Sequence, residues 1–224
     1  MMRGLIFTGG KGPDMGTASR LFAQRDFVIA ADSGLSGSLE ARIVPDLVIG
    51  DMDSLEDQSL LDAIPEGNIR RWPRDKDYTD TELALAEMRR RGIDRVTLVG
   101  GCGGRLDHLF ALKALYESGL HPVVWIGEES VVLAVDGTEK NEELRVAGLS
   151  SEDPVSFFPA GKTPHVATAA GLHWNVDSLD WDGGAYSLSN RCPEGSFVFT
   201  AECGLFLAIV PLSGSLTFKY PEAP

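Results

Sequence analysis

The chain has 224 residues, of which 43% are hydrophobic and 24% charged, a composition typical of a soluble globular protein with one large or two small domains. Its net charge of -13 argues against a nucleic-acid binder, because a phosphate backbone requires a basic protein face. No apolar run approaches the roughly 20 residues that span a bilayer. The N-terminal segment lacks the apolar core of a signal peptide, and the three cysteines are widely spaced, so we expect a cytoplasmic protein without disulfides or a zinc site.

Three short apolar segments occur in the first 50 residues, and each ends in Gly or Asp. They cover residues 4–8, 27–31 and 47–50. Their continuous apolar character is typical of parallel strands that are buried on both faces. Asp32 directly follows the second segment, where its carboxylate could bind a hydroxyl group or a water molecule, or simply begin an ordinary turn.

Two aspartates follow the third apolar segment. Asp51 and Asp53 are two residues apart, and strand alternation predicts that both side chains point to the same side. Carboxylates that converge in this way require a cation between them, and Mg²⁺ is the hard divalent ion that commonly accompanies nucleotide phosphates. A solvated acidic turn is the alternative interpretation of this pair taken alone.

A second acidic segment, residues 75–80, precedes a predicted helix. Thr79 and Glu82 have the spacing of a capping box, and Gly92 is predicted to end the helix after three arginines that suit its C-terminal dipole. Because loops at the C-terminal ends of parallel strands share one crevice, Asp80 is a candidate third carboxylate for the metal. Lys76 is either a phosphate contact or a surface lysine.

A glycine-rich segment, residues 100–104, lies between a predicted strand at 95–100 and a predicted helix at 105–118. Gly103 and Gly104 allow a ligand to approach the backbone, and the helix N-terminus offers N–H groups to an anion. Arg105 adds a cation with geometry suited to phosphate, and Asp107 could accept from hydroxyl groups or orient Arg105. The segment matches neither the Walker pattern nor GxGxxG.

The second half of the chain contains short β-type segments separated by Gly, Pro, Asn or Asp, and it lacks a helical period. These segments are residues 124–126, 131–135, 155–158, 165–169, 185–189, 197–200 and 205–210. We therefore predict an α/β domain over residues 1–130, with a doubly wound, mostly parallel sheet and helices on both faces. An antiparallel β-sandwich follows over residues 131–224. The carboxylates, glycines and Arg105 together predict metal-assisted transfer of a phosphorus group.

These motifs resemble the thiamine pyrophosphokinase family in their residues, order and spacing. The matching segments are residues 31–34, 45–54, 75–80, 103–108, 171–174 and 187–190. The sequence departs from the family pattern at Ser33, where many members have glycine, and at His173, where a lysine or arginine is common. The resemblance implies transfer of the terminal pyrophosphate of ATP to the hydroxyl group of thiamine, which releases AMP.

The resemblance also implies roles for individual residues. It predicts Mg²⁺ binding by Asp51, Asp53 and Asp80, with Arg105 at the reacting phosphates; nucleotide binding by Asp32, Lys76, Gly103, Gly104, Arg105 and Asp107; and thiamine binding by Ser187, Ser189 and Asn190. Trp174 could stack on the cationic ring of thiamine or belong to the core of the β domain. Asp51 or Asp80 could accept the hydroxyl proton.

The resemblance further implies a homodimer with active sites at the subunit interface. Two alternative functions are a pyrophosphokinase for another small alcohol, such as a hydroxymethylpterin, and a non-catalytic nucleotide sensor.

Overall fold

The computed structural model describes residues 2–220, and the chain divides into two compact units, Met1–Glu128 and Glu129–Pro224. Unit 1 contains both helices and strands, whereas unit 2 is built from strands. None of the helices within residues 2–220 has the length and apolar character needed to cross a membrane.

The described part of unit 1, residues 2–128, contains six strands and four α-helices. The strands are β1 (Arg3–Phe7), β2 (Phe27–Ala31), β3 (Leu47–Gly50), β4 (Ile69–Arg71), β5 (Arg95–Val99) and β6 (Val124–Ile126); the helices are α1 (Met15–Ala18), α2 (Gly34–Glu40), α3 (Asp80–Arg90) and α4 (Leu106–Ser118). All six strands are parallel, in the order β6-β5-β1-β2-β3-β4. The strand order therefore reverses between β1 and β5, which is the position where open α/β sheets bind ligands.

Helices pack on both faces of this sheet because its strands alternate two sets of apolar side chains. One face carries Ile6, Ile29, Ile49 and Leu98 against apolar residues of α3 and α4. The opposite face carries Ala30 and Val48 against α2 and the segment that follows β3. The predicted doubly wound sheet is confirmed.

The predicted capping box fixes the start of α3. The side chain of Thr79 accepts from the Glu82 N–H at 3.2 Å, and the Glu82 side chain accepts from the Thr79 N–H at 2.7 Å. These two bonds satisfy N–H groups that the helix itself leaves unpaired. Asp80 consequently occupies the first position of the helix.

Unit 2 contains two antiparallel sheets. Its strands are β7 (Ser130–Asp136), β8 (Glu142–Ala147), β9 (Val155–Ala160), β10 (Val166–Ala170), β11 (Ser187–Asn190), β12 (Ser196–Cys203), β13 (Leu205–Pro211) and β14 (Thr217–Lys219). One sheet has the order β11-β9-β13-β7 and the other β10-β12-β8-β14.

Buried aromatic rings join the two sheets of unit 2. Phe157 of β9 stacks on Phe199 of β12 with ring centroids 4.6 Å apart, and Phe206 of β13 meets Phe199 edge-on at 5.3 Å. All three side chains are fully buried, so apolar area holds the sheets face to face. The predicted β-sandwich is confirmed.

Candidate active site

Three aspartates come together at the C-terminal end of the parallel sheet. Asp32 follows β2, Asp51 follows β3, and Asp80 begins α3. One carboxylate oxygen from each lies within 4.8 Å of the other two, and all three residues are partly buried. We call these three residues the acidic set.

Backbone conformation places Asp32 in the acidic set. Its N–H donates to the carbonyl oxygen of Ile49 at 2.8 Å, and its φ of 48° turns the chain away from β2. Gly50 allows this close approach, because a β-carbon at position 50 would lie only 3.0 Å from the Asp32 Cβ. The ends of β2 and β3 are therefore held together at the aspartates.

Lys76 is the cation in contact with the acidic set. Its Nζ lies 3.1 Å from Asp80 Oδ1 and 3.9 Å from Asp51 Oδ2, and its side chain is only 12% exposed. One ammonium group thus contacts two of the three carboxylates of the acidic set. Negative charge remains in excess at this position, which is the environment that a divalent cation favours.

The acidic set contains two carboxyl groups whose pKa values shift in opposite directions. The Asp53 N–H donates to Asp51 Oδ1 at 3.1 Å, and this bond holds the pKa of Asp51 below its ordinary value, with support from the charge of Lys76. Burial raises the pKa of Asp80, and the neighbouring carboxylates Asp32 and Asp51 add to the rise, while Lys76 opposes it. A cation bound among these groups would favour the ionised form of Asp80.

Among residues 2–220, Asp53 is not a member of the acidic set. Strand alternation predicts instead that its side chain points to the same side as that of Asp51. The alternation stops because β3 ends at Gly50 and Met52 adopts a left-handed φ of 63°. The Met52 side chain is buried in the core, and the Asp53 carboxylate instead lies 3.1 Å from Arg74 Nε.

The contact between Ser54 and Asp32 was not predicted from the sequence. The Ser54 hydroxyl donates to Asp32 Oδ2 and lies 3.1 Å from the Ser33 hydroxyl. The other oxygen, Asp32 Oδ1, is buried without a hydrogen-bond partner among the described atoms. A buried carboxylate oxygen of this kind is a suitable ligand for a cation.

The glycine-rich loop of residues 100–104 follows β5 and leads into α4. Gly100 has a φ of 100°, and a β-carbon there would lie 2.5 Å from the carbonyl oxygen of Thr8, so glycine is required at this position. Arg105 precedes α4 and donates to Asp107 through Nε at 3.1 Å and through Nη2. Both side chains are exposed, at 74% and 59%. Hydrogen bonding from Arg105 lowers the pKa of the Asp107 carboxyl group.

In unit 2, the predicted thiamine-binding residues have different environments. Asn190 is fully buried: its Oδ1 accepts from the Trp174 N–H at 3.1 Å, and its Nδ2 donates to the Trp174 carbonyl oxygen at 2.8 Å and to Ser187 Oγ at 3.2 Å. Ser189 is exposed and has a left-handed φ of 55°. Trp174 is 52% exposed, which excludes the core position that the sequence left open.

Comparison with known proteins finds that the residues of this site lie in a segment matched by a family model. The family model described as the catalytic domain of thiamin pyrophosphokinase matches residues 18–125, which include the acidic set, Lys76 and the glycine-rich loop. The chain is therefore similar to thiamin pyrophosphokinases in the segment that contains the candidate active site. It is 25% identical over 192 residues to the thiamine pyrophosphokinase of Bacillus subtilis (strain 168), covering 81% of this chain and 85% of that relative.

Solved thiamin pyrophosphokinase structures have the same fold. The protein from Geobacillus thermodenitrificans matches with a TM-score of 0.69 at 22% identity, covering 94% of this chain and 97% of that chain. The yeast protein matches with a TM-score of 0.64 at 14% identity, covering 94% and 86%. These similarities confirm the predicted fold class, an α/β unit followed by antiparallel sheets.

Residues predicted from the resemblance to thiamin pyrophosphokinases fall into three groups in the structure. Asp32, Asp51, Asp80 and Lys76 form one group; Gly103, Gly104, Arg105 and Asp107 belong to a second, at the start of α4; Trp174, Ser187, Ser189 and Asn190 lie in unit 2. Asp53 is paired with Arg74 beside the first group. A lysine in the loop after β1, Lys11, was missed by the sequence reasoning because no motif contains it. Its backbone pairs with the glycine-rich loop.

Proposed function

We propose that this protein is a thiamine pyrophosphokinase, which transfers pyrophosphate from ATP to the hydroxyl group of thiamine and forms thiamine diphosphate and AMP in a Mg²⁺-dependent reaction. The acidic set carries the proposal. Its three carboxylates lie at the C-terminal end of a doubly wound sheet, in a segment that matches the thiamin pyrophosphokinase catalytic-domain model. Carboxylates at that edge suit a metal ion that accompanies nucleotide phosphates.

The acidic set fits Mg²⁺ by its chemistry. Its ligands are hard carboxylate oxygens, and the buried Asp32 Oδ1 has no hydrogen-bond partner among the described atoms. Asp32, Asp51 and Asp80 would hold the ion, which would supply charge neutralisation at the phosphate oxygens. Asp53 is a further candidate ligand, and its carboxylate would have to leave Arg74 in order to bind the ion.

Lys76 has two tasks in this proposal. Its ammonium group balances part of the charge of Asp51 and Asp80, and it would compete with Mg²⁺ for the same oxygens. When the carboxylates are neutralised by the metal, Lys76 becomes available to the phosphate oxygens of the nucleotide. The carboxylates therefore have a cationic partner in both states: Lys76 before the metal binds, and Mg²⁺ afterwards.

The start of α4 is proposed to bind the nucleotide. Gly103 and Gly104 leave the backbone open to phosphate, and the guanidinium group of Arg105 suits bidentate contact with phosphate oxygens. The Arg105–Asp107 pair is exposed, so solvent screening keeps it weak and easily separated. Arg105 can therefore turn from Asp107 to the transferred group, where developing charge is stabilised.

Unit 2 is proposed to bind thiamine. The exposed indole of Trp174 offers a face to the cationic aromatic ring of thiamine. Ser187 and Ser189 offer hydroxyl groups, while Asn190 is occupied by the backbone of Trp174 and holds that residue in place. We further propose that the protein functions as a homodimer whose active sites include residues of both subunits.

The purified protein tests this proposal when it is incubated with ATP and Mg²⁺ together with either thiamine or a hydroxymethylpterin. We expect AMP release with thiamine, and none after Mg²⁺ is removed with a chelator. AMP formed only with the pterin would contradict the choice of substrate. Tight ATP binding with no AMP from either alcohol would indicate a nucleotide sensor.

A further inference from the structure

The loop after β1 is joined to the glycine-rich loop by three backbone hydrogen bonds. The Gly101 N–H donates to the Gly9 carbonyl oxygen at 3.0 Å. The Lys11 N–H donates to the Cys102 carbonyl oxygen at 2.5 Å, and the Cys102 N–H donates back to Lys11 at 3.0 Å. These bonds fix the backbone of Lys11 between the ends of β1 and β5. The strand order reverses there, and ligands of open α/β sheets bind in that crevice.

The side chain of Lys11 runs along Gly103. A β-carbon at position 103 would lie 2.7 Å from both Cγ and Cδ of Lys11, so the aliphatic part of the lysine occupies the space that a side chain would fill. Lys11 therefore contacts the segment whose backbone is proposed to approach the phosphates. No motif identifies this residue, because it lies 89 residues before the start of the glycine-rich loop in sequence and meets it only through the sheet.

The ammonium group of Lys11 is available to a ligand. Its side chain is 67% exposed, and its Nζ lies 3.4 Å from Glu128 Oε1, whose side chain is 44% exposed. An exposed pair at this distance is weak, so a phosphate group with more negative charge can replace Glu128. In a chain with a net charge of -13, a lysine at the crevice supplies local positive charge that the overall composition does not.

We propose that Lys11 is a phosphate-binding residue that contacts the polyphosphate chain of the nucleotide. This inference rests on the proposed function and adds a residue outside the matched catalytic-domain segment of residues 18–125. Lysine acts as a flexible point charge, which suits it to phosphate oxygens that move as pyrophosphate is transferred. Lys11 and Arg105 would then contact the phosphates from two different loops.

Three variants separate the role of the charge from that of the side-chain stem. Lys11→Met keeps the stem along Gly103 and removes the charge, Lys11→Arg keeps a positive charge, and Lys113→Met removes an exposed lysine from α4 as a control. Isothermal titration of each protein with ATP and with AMP, at fixed Mg²⁺, measures the affinities. Thermal unfolding checks that every variant is folded.

We expect Lys11→Met to lose about tenfold or more in ATP affinity, because a charge-assisted hydrogen bond is lost, and less than about twofold in AMP affinity. Lys11→Arg should stay within about threefold of the wild type, and Lys113→Met should match it. An equal loss for ATP and AMP would overturn the inference, because it would indicate a general effect on the loop. Unchanged ATP affinity in Lys11→Met would overturn the inference about Lys11 but not the proposed function. A wild-type protein that binds no ATP would overturn both.

Discussion

Two groups of charged residues lie at the two ends of helix α3. Negative charge is in excess in the group at the N-terminal end, and positive charge is in excess in the group at the C-terminal end. At the N-terminal end, Asp80 lies beside Asp32 and Asp51, and the ammonium group of Lys76 contacts the carboxylates of Asp80 and Asp51. Near its C-terminus, Glu87 is the single carboxylate among three guanidinium groups. These are Arg70, Arg90 and Arg91, with N–O distances of 2.7–2.9 Å to Glu87.

The pKa values of Glu87 and Asp80 shift in opposite directions. Hydrogen bonds from Arg90, Arg70 and Arg91 outweigh burial and lower the pKa of Glu87 to about 2. Burial prevails at Asp80 and raises its pKa, because the hydrogen bond and charge of one lysine do not offset burial together with the charges of Asp32 and Asp51. Glu87 is paired with three arginines and is therefore expected to stabilise the fold. The acidic set has more negative charge than its lysine balances, which suits it to bind a further cation.

The largest expected effect comes from breaking the acidic set. Asp51→Asn removes one negative charge from a proposed metal ligand, so kcat/KM for the ATP and thiamine reaction should fall on the order of 10²- to 10³-fold. Asp53→Asn should cause a smaller loss, because Asp53 is paired with Arg74 outside the set. Steady-state kinetics and Mg²⁺ titration of both variants measure the difference. A larger loss in Asp53→Asn would show that Asp53 displaces a member of the set when the metal binds.

Glu87→Gln tests the other end of the helix. The Glu87 side chain is 5% exposed and pairs with partly exposed arginines, so we expect a loss of about 2 kcal/mol in the free energy of unfolding at pH 7. Activity of the folded variant should change little, because Glu87 lies away from the acidic set on α3. Chemical denaturation measures the loss, with Glu117→Gln, from an exposed pair, as the control.

The same variant should show a defined pH dependence. The folded-state pKa of Glu87, about 2, lies below the ordinary value of 4.5, so its ionised form stabilises the folded protein above pH 4.5. This contribution decreases as the pH falls from 4.5 to about 2, and the difference between wild type and Glu87→Gln should shrink over that interval. A difference that stays constant with pH would contradict an electrostatic role.

Lys76→Met tests the charge balance of the acidic set, and its expected effect is smaller than those of the preceding variants. Without the ammonium group, repulsion within the acidic set should lower Tm in a chelator by about 3–6 °C, which corresponds to about 1–2 kcal/mol for a chain of this size. Loss of the competing charge should raise Mg²⁺ affinity about tenfold, and Mg²⁺ should restore the lost stability. A fall in Mg²⁺ affinity would mean that Lys76 supports the metal rather than competing with it.

The sequence alone determined the architecture, and it named Asp32, Asp51, Asp80 and Lys76 as candidate site residues. Buried strands ending in Gly or Asp, the capping box at Thr79 and the glycines before α4 are local patterns, and each depends on neighbours within a few residues. It did not predict the short edge strand β4 or strands β8 and β14. β4 and β8 contain charged residues at partly exposed positions, and β14 has only three residues, so none forms a continuous apolar run.

Tertiary structure decided which of these residues meet. The left-handed turn at Met52 directs Asp53 toward Arg74, and the pairing of β2 with β3 brings Asp32 into the acidic set. Contact between β1 and β5 places Lys11 on the glycine-rich loop. These outcomes depend on backbone turns and on strand neighbours distant in sequence, and periodicity along the chain specifies neither.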